Sequence, residues 1–386
     1  MNRLRVAIGV VGGVTGGPAR YGLELVRALS RRVERGQSPD FEVWALTDRP
    51  DLLEGLPGVR CVHLPLPSSW AQPWWDNVLV PRALRRLRPD VYHGTKHALP
   101  LVGTPRGTAT VASIHDLAVF AEPETFGRAQ RAQLLVHLRH AARSATRILC
   151  GSHHAAGDVA RGLGVDPERI SVVLYGVGAE FVPPRDEASR LAVRRRLGVE
   201  RGALVSFVGT AQPRKRVEVA IEAVARLRAQ GRPVVLAIAG RRRPGYEPAW
   251  VVDPPPFVRL LGEVDGPSLV ELYGASDVMV SPSTFEGFGF TFVEAMACGC
   301  PVVGVAATSV PEVVADGGLL VPAADPDRIA GALARLVGDP ALREATSRAA
   351  LRRARQLSWE ACAEGTLDVY LSAAGREPER PAGKPA

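Results

Sequence analysis

The chain has 386 residues, 46% of them hydrophobic and 23% charged, with a net charge of +8. That balance is ordinary for a soluble globular protein of about two domains. No uninterrupted apolar stretch approaches the ~18–20 residues that span a bilayer, and the five cysteines form no C-x-x-C pair, which disfavours a metal ribbon and suits thiols in a reducing cytoplasm. The positive excess lies early. Residues 1–185 hold 23 Lys and Arg against 16 Asp and Glu, whereas residues 186–386 hold 25 against 24. A basic first half suits an anionic acceptor, a membrane surface or nucleic acid, although an Arg-rich proteome produces the same bias.

The opening MNRLRVAIGVVGGVTGG places two arginines before an apolar run. Glycines break that run and it leads into a helix pattern, so it predicts a strand and its loop, not a secretory leader. Short Val- and Ile-rich runs follow at 5–11, 43–46, 58–63, 91–93, 110–114, 147–150 and 170–174, with amphipathic stretches such as 21–32 and 128–145 between them. Buried parallel strands alternating with helices predict a doubly wound α/β domain. The loop after the first strand carries Gly12, Gly13, Gly16 and Gly17 but not G-x-G-x-x-G, and Pro18 removes one N–H. The tips of two further strands carry His93, Lys96 and His97, and then His115 and Asp116.

Residues 176–202, with Pro183–Pro184 and a charged helix, look like a linker. A second alternating series follows at 204–209, 234–240, 258–261, 278–281, 302–305 and 319–321. The expected organisation is a domain at 1–185, a second at 186–358, a helix at 359–373 and a disordered tail at 374–386, rich in Pro and charge. Two such domains present a cleft at the carboxyl ends of their strands.

Two stretches of the second domain carry chemistry. In VGTAQPRKRVEVAIEA, Arg214 and Lys215 precede a helix whose positive dipole end they oppose, and a bound anion would explain them. In PSTFEGFGFTFVEA, Gly287 and Gly289 leave the backbone bare before a helix expected from Thr291, an arrangement that binds phosphate. Glu286 in that loop and Glu294, expected in the first helical turn, suit hydrogen bonding to vicinal hydroxyls. Acids in a first turn also serve simply to complement the dipole. A metal site is disfavoured. His93 and His97 have H-x-x-x-H spacing without the following Glu of a zinc protease, and Asp325-Pro326-Asp327 has the form of a helix cap.

Taken together, EGFGFTFVEAMACGCPVVG resembles the E-x7-E region of retaining glycosyltransferases of the GT-B fold, in the large family 4. FVGTAQPRKRVEVAIEA, GEVDGPSLVELYGASDVMVSPS and SVPEVVADGGLLVPAADPDRIAGAL resemble the flanking segments of the same family. GGPARYGLELVRAL, HGTKHALP, IHDLAVF and PETF resemble its acceptor-side half. The resemblance runs from about residue 5 to 372. It implies two facing Rossmann-like domains, acceptor-binding then donor-binding, with the helix at 359–373 returning to the first. It implies a nucleotide-diphosphate sugar as donor substrate, GDP- or UDP-linked, with no cofactor and no metal. Arg214 and Lys215 would neutralise the diphosphate. Glu286 would contact the donor sugar beside Gly287, Phe288, Gly289 and Phe290, and Glu294 would bind the ribose. Thr210 and Val264 would line the donor, the latter beside the base. Gly16 and Gly17 would face the phosphates, His115 would sit near the donor sugar and acceptor, and Arg20, Lys96 and Asp116 would lie on the acceptor side.

The sequence departs from the family pattern at three places: Pro18–Ala19, Thr210 where many members have Arg, and Arg216 where Asn is frequent. The expected activity is transfer of a mannose- or glucose-type hexose to a glycan, a lipid-linked glycan or a small molecule, in the cytoplasm or at the inner membrane face. No nucleic-acid partner is expected. A nucleotide-sugar epimerase and a non-catalytic nucleotide-sugar-binding protein are the alternatives.

Overall fold

The computed structural model describes residues 3–12, 16–36, 41–68, 71–199 and 201–376. Gly13 of the glycine-rich loop and most of the expected tail lie outside the described residues. The chain divides into two compact units, one of residues 1–176 and 359–386 and the other of residues 177–358.

The first unit is a seven-stranded sheet of β1 (Leu4–Val10), β2 (Phe41–Thr47), β3 (Val59–His63), β4 (Val91–Gly94), β5 (Ala109–Ser113), β6 (Arg147–Cys150) and β7 (Ile170–Val172). All pairs are parallel and the order is β3-β2-β1-β4-β5-β6-β7. The second unit holds β8 (Ala203–Val208), β9 (Val234–Ala239), β10 (Val258–Gly262), β11 (Val278–Ser281), β12 (Val302–Val305) and β13 (Gly318–Val321), again all parallel, in the order β10-β9-β8-β11-β12-β13. Parallel pairing demands helical crossovers, which cover both faces and exclude water from the strands. That is why every residue of β8, β11 and β12 is buried and why these strands appear in the sequence as unbroken Val-rich runs. Strand order reverses between β1 and β4 in the first sheet and between β8 and β11 in the second. Those are the points where a doubly wound sheet opens a crevice at its carboxyl edge.

Two sequence expectations are corrected here. The segment at 176–202 is not a linker. Val177 bridges to Ser358, Phe181 packs on Tyr273, and the helix Glu187–Arg196 fixes the base of the second sheet. Asp277, just before β11, receives Arg190 at 2.6 Å, Arg194 at 2.9 Å and the Leu204 N–H at 2.8 Å. Arg194 is itself buried and also donates to the Gly202 and Ala275 carbonyls. Two of the segment's charges, Arg190 and Arg194, are thus drawn into an ion-pair network around buried Asp277, while Arg185, Asp186, Glu187, Arg195 and Arg196 stay exposed. The division of the chain therefore falls after Gly176 and not after residue 185.

The helix Trp359–Ala373 is part of the first unit. It packs along the helix Gly17–Glu34, with Arg31 Nε 2.9 Å from Glu360 Oε1. Tyr370 OH meets His93 Nδ1 at 2.7 Å, and Trp359 stacks on Tyr175. No helix among the described residues is long and apolar enough to cross a membrane.

Candidate active site

In the second unit, the loops that follow β8 and β11 meet at the switch point. Arg214 and Lys215 occupy a 3-10 turn, Pro213–Lys215, which Arg216 joins to the helix Val217–Ala229 through a left-handed backbone of φ 48°. The Thr284 N–H donates to the Arg214 carbonyl at 3.1 Å, and Arg214 Nη1 donates to the Phe285 carbonyl at 2.6 Å. These bonds bring Glu286 onto the two cations. Lys215 Nζ donates to Glu286 Oε1, and Arg214 Nη1 lies 3.5 Å from Oε2. Lys215 and Glu286 are both buried. Burial pushes the Glu286 carboxyl up, but Lys215 and then Arg214 outweigh it, and the group is held below its ordinary value. The anion that the two cations call for is thus an internal carboxylate, which leaves the cluster with one surplus positive charge.

The Glu286 loop is also tied to residues that the sequence did not single out. The Glu286 N–H donates to Thr308 Oγ1 at 3.0 Å, and Ser309 Oγ donates to the Glu286 carbonyl at 2.8 Å. Thr308 holds φ 51°, an uncommon conformation for a β-branched residue. Both follow β12, so three neighbouring strand ends build one site. The only sequence signal for them is their position after a buried strand.

The helix that follows is Phe290–Ala297, capped by Gly289 at φ 90°. A Cβ on Gly289 would lie 2.9 Å from the Phe292 ring, so glycine is required on both counts. Phe288 is buried and packs edge-on against Phe290. Glu294 is the fifth helical residue, and the first turn contains no acid. This corrects the expected placement and removes dipole compensation as the explanation of Glu294. Its carboxylate is buried and accepts from Tyr273 OH at 3.0 Å. Glu286 and Glu294 therefore stand in different environments, one ion-paired and one facing a phenol. Thr210 is exposed at the end of β8, and Val264 is half-buried beyond β10.

In the first unit, Gly16 holds φ 92° and a Cβ there would meet nothing within 4 Å; the helix Gly17–Glu34 begins immediately after it. Arg20 lies in the first turn of that helix. Lys96 reaches back to Gly12, whose N–H donates to Asp48 at 2.9 Å. Burial pulls the Lys96 ammonium below its ordinary value against the pull of Asp48 and Asp76. Nothing in the sequence marks Asp76 as a site residue. It lies in a π-helical stretch, Trp75–Leu79, and burial pushes its carboxyl up to about 7 against Gln72 and Lys96.

His115 is not a free base in this structure. Its Nε2 lies 2.7 Å from the Thr95 carbonyl and its Nδ1 2.7 Å from Tyr175 OH, so Nε2 carries the proton and Nδ1 accepts. Burial lowers its pKa to about 3, helped by His97. Its backbone N–H donates to His97 Nδ1 at 3.3 Å, and His97 itself holds φ 58°. Asp116 is engaged locally, accepting the Ala118 N–H at 2.9 Å. Among the described residues no group of three His, Cys, Asp or Glu side chains is placed to hold a metal ion. Asp325 is a helix cap that accepts from the Arg328 N–H.

Two doubly wound parallel sheets, each with its loops gathered at a switch point, are the architecture of a GT-B glycosyltransferase. Residues 190–353 match the family described as Glycosyl transferases group 1, and residues 15–181 match Glycosyltransferase Family 4. The chain is 29% identical to the O-antigen chain mannosyltransferase B of Escherichia coli, over 92% of this chain and 95% of that one. It is 31% identical to a D-inositol 3-phosphate glycosyltransferase of Xylanimonas cellulosilytica, over 95% and 94%. Further D-inositol 3-phosphate glycosyltransferases match at 33–36% identity but over only 53–66% of their own length. Among solved structures, the Anabaena protein HepE in complex with UDP and glucose superposes with a TM-score of 0.74 at 20% identity, covering 96% of this chain and 100% of that one. The chain belongs to the family 4 and group 1 glycosyltransferases of the GT-B fold, and it is a glycosyltransferase.

Proposed function

We propose that the second unit binds a nucleotide-diphosphate hexose and that transfer proceeds with retention at the anomeric carbon and without a metal ion. The observation that carries this reading is the Lys215–Glu286–Arg214 cluster at the switch point of the second sheet. As the bond to the sugar breaks, negative charge develops on the departing diphosphate. Preorganised cations in a low-dielectric site stabilise that charge without reorganisation. Lys215 and Arg214 supply it, and their bonds within the loops fix them before the donor arrives. Metal independence rests on the surplus positive charge of this cluster and on Glu286 releasing part of its bond as the diphosphate arrives.

In this assignment Glu286 exchanges one role for another. Without donor its carboxylate is a surrogate for the phosphate. With donor it releases part of that bond and accepts from hydroxyls of the sugar. Glu294 and its Tyr273 partner serve the ribose. Mannose is the favoured sugar because, of the two relatives matched over nearly their whole length, the one whose name states the sugar transferred is a mannosyltransferase. The structural neighbour is in complex with UDP, which favours a uridine donor here, and GDP is the alternative. The first unit, with Lys96, Arg20 and Asp116, holds the acceptor, a hydroxyl of a glycan, a glycolipid or a small polyol. The five free cysteines suit a cytoplasmic site of action.

Isothermal titration of GDP, UDP and ADP and their mannose and glucose conjugates in EDTA tests the donor half of the proposal. One nucleotide series binding without metal, and losing at least tenfold in affinity in Lys215→Ala, is expected. Binding that appears only on adding a divalent ion refutes metal independence. NMR of the product's anomeric proton then decides retention against inversion.

A further inference from the structure

The first unit carries two outer helices with no acid on them. The helices Val80–Leu87 and Arg128–Ser144 both lie on one side of the first sheet, where Val80, Leu84, Leu138 and Ala141 join a single apolar cluster. Neither helix contains Asp or Glu. Their arginines point outward. Arg82, Arg85 and Arg86 on the first helix are exposed, and at 100° per residue they fall within about 100° of arc, opposite the buried Leu84. Arg128, Arg139 and Arg143 on the second are exposed and fall, with the exposed Val136, within about 80°. Between residues 80 and 144 the sequence has 10 Lys and Arg against 4 Asp and Glu, a surplus of 6 out of the whole chain's +8.

The loop between β4 and β5 lies between these helices and is fastened to both sides. The Leu101 N–H donates to Asn77 Oδ1 at 2.8 Å, beside the first helix, and His140 Nε2 on the second meets the Pro100 carbonyl at 2.9 Å. Gly103 lies so close to Pro81 and Arg85 that a Cβ there would approach both to within 3.2 Å. The loop therefore holds Leu101 and Val102 out between two rows of arginines, 38% and 71% exposed. Val136, one turn before the His140 that meets this loop, is 52% exposed.

We infer that this face docks the enzyme on a bilayer bearing anionic lipids, with Leu101 and Val102 entering the headgroup region and the flanking arginines meeting lipid phosphates. Charge complementarity selects the partner's sign, and the apolar tips select its kind. A nucleic acid would meet the arginines but offers no apolar phase for Val102. Exposed aliphatic side chains ringed by arginine are what an interfacial surface requires. This inference is independent of the donor chemistry proposed above.

Co-sedimentation of the full chain with phosphatidylcholine vesicles, with and without about one-third phosphatidylglycerol, tests it. Binding only to the anionic vesicles, weakened by salt, is expected. Arg139→Gln with Arg143→Gln should weaken it about 30-fold, from roughly fivefold per arginine. The Arg→Lys pair should restore it, and Val102→Asp should cost about tenfold or more. Every variant should keep wild-type nucleotide affinity, which separates loss of docking from loss of fold. Equal binding to neutral vesicles, no binding to either, or an oligonucleotide bound where vesicles are not, overturns the inference.

Discussion

Replacing Glu286 by Gln isolates the exchange proposed for the donor site. The carboxylate sits between Lys215 and Arg214, the latter 3.5 Å away. At an effective dielectric of about 20, one such pair is worth about 5 kcal/mol of gross attraction. A nucleoside diphosphate arriving at the same cations must displace part of it. If only a quarter is given up, the internal carboxylate weakens diphosphate binding by about 1.2 kcal/mol, close to eightfold in Kd. Glu286→Gln should therefore bind the bare nucleoside diphosphate about eightfold more tightly than the wild type in isothermal titration. Transfer from the nucleotide sugar should fall on the order of a hundredfold, because the hydroxyls lose a charged acceptor and one of its two oxygens. The two effects have opposite signs and a damaged fold would not produce both. Diphosphate affinity that is unchanged or weaker in a protein that still melts cooperatively would refute the idea that Glu286 stands in for phosphate.

Lys215→Ala should act in the opposite sense. It lowers diphosphate affinity and the transfer rate together, by about 10²–10³ in kcat, and it leaves Glu286 buried with Arg214 alone, so its melting temperature should also drop. Because Glu286 is held below its ordinary 4.5, its contribution to stability is fully present above that value and is lost as pH falls through the lowered one. The stability gap between wild type and Glu286→Gln should narrow in that acid range in denaturant titrations. The first unit should respond at higher pH. His93 and His115 titrate near 3 and His97 near 4 when folded, against 6.5 in the unfolded chain. The unfolded state then binds more protons, so stability falls as pH drops below 6.5, by up to about 1.4 kcal/mol per pH unit for each histidine. His115→Gln should flatten that slope by roughly a third; an unchanged slope would mean that His115 is not neutral and buried. Arg194→Leu should cost about 3–5 kcal/mol in the same measurement, since it strips a buried partner from Asp277.

The thirteen strands among the described residues were legible in the sequence to within a residue or two at their ends; the central ones, such as β8, β11 and β12, are buried on both faces and therefore nearly apolar throughout, and the half-exposed edge strands β3 and β10 still carry Val and Leu. The loops with chemistry were legible for a related reason. In a doubly wound sheet they have to follow the carboxyl ends of strands, and Arg214, Lys215 and Glu286 all do. The partnerships were not legible. Glu286 lies 71 positions from Lys215, and Thr308 enters from a third strand end. Nothing in local periodicity records which loops will touch. Within the run of charge near residues 185–196, Arg190 and Arg194 were misleading for the same reason, since the Asp277 that neutralises them lies more than 80 positions on. Composition suggested solvent where distant pairing had already supplied the counter-charge. His115 was located correctly at a strand tip, but its two hydrogen-bond partners, Thr95 and Tyr175, decide what it can do.

The return of the last helix to the first unit also bears on how the chain is made. Tyr370 meets His93 across 277 positions, and Trp359 covers Tyr21 and Tyr175 in the same aromatic cluster. A ribosome delivers residues 177–358 before that cover exists, so the second unit can complete its sheet during synthesis while the first waits with an open aromatic face. The unit begun first is thus finished last, and the long loop closure needed to finish it belongs to the slow class of folding steps. Losses beyond residue 358 would therefore strike the half of the molecule that holds the beginning of the chain.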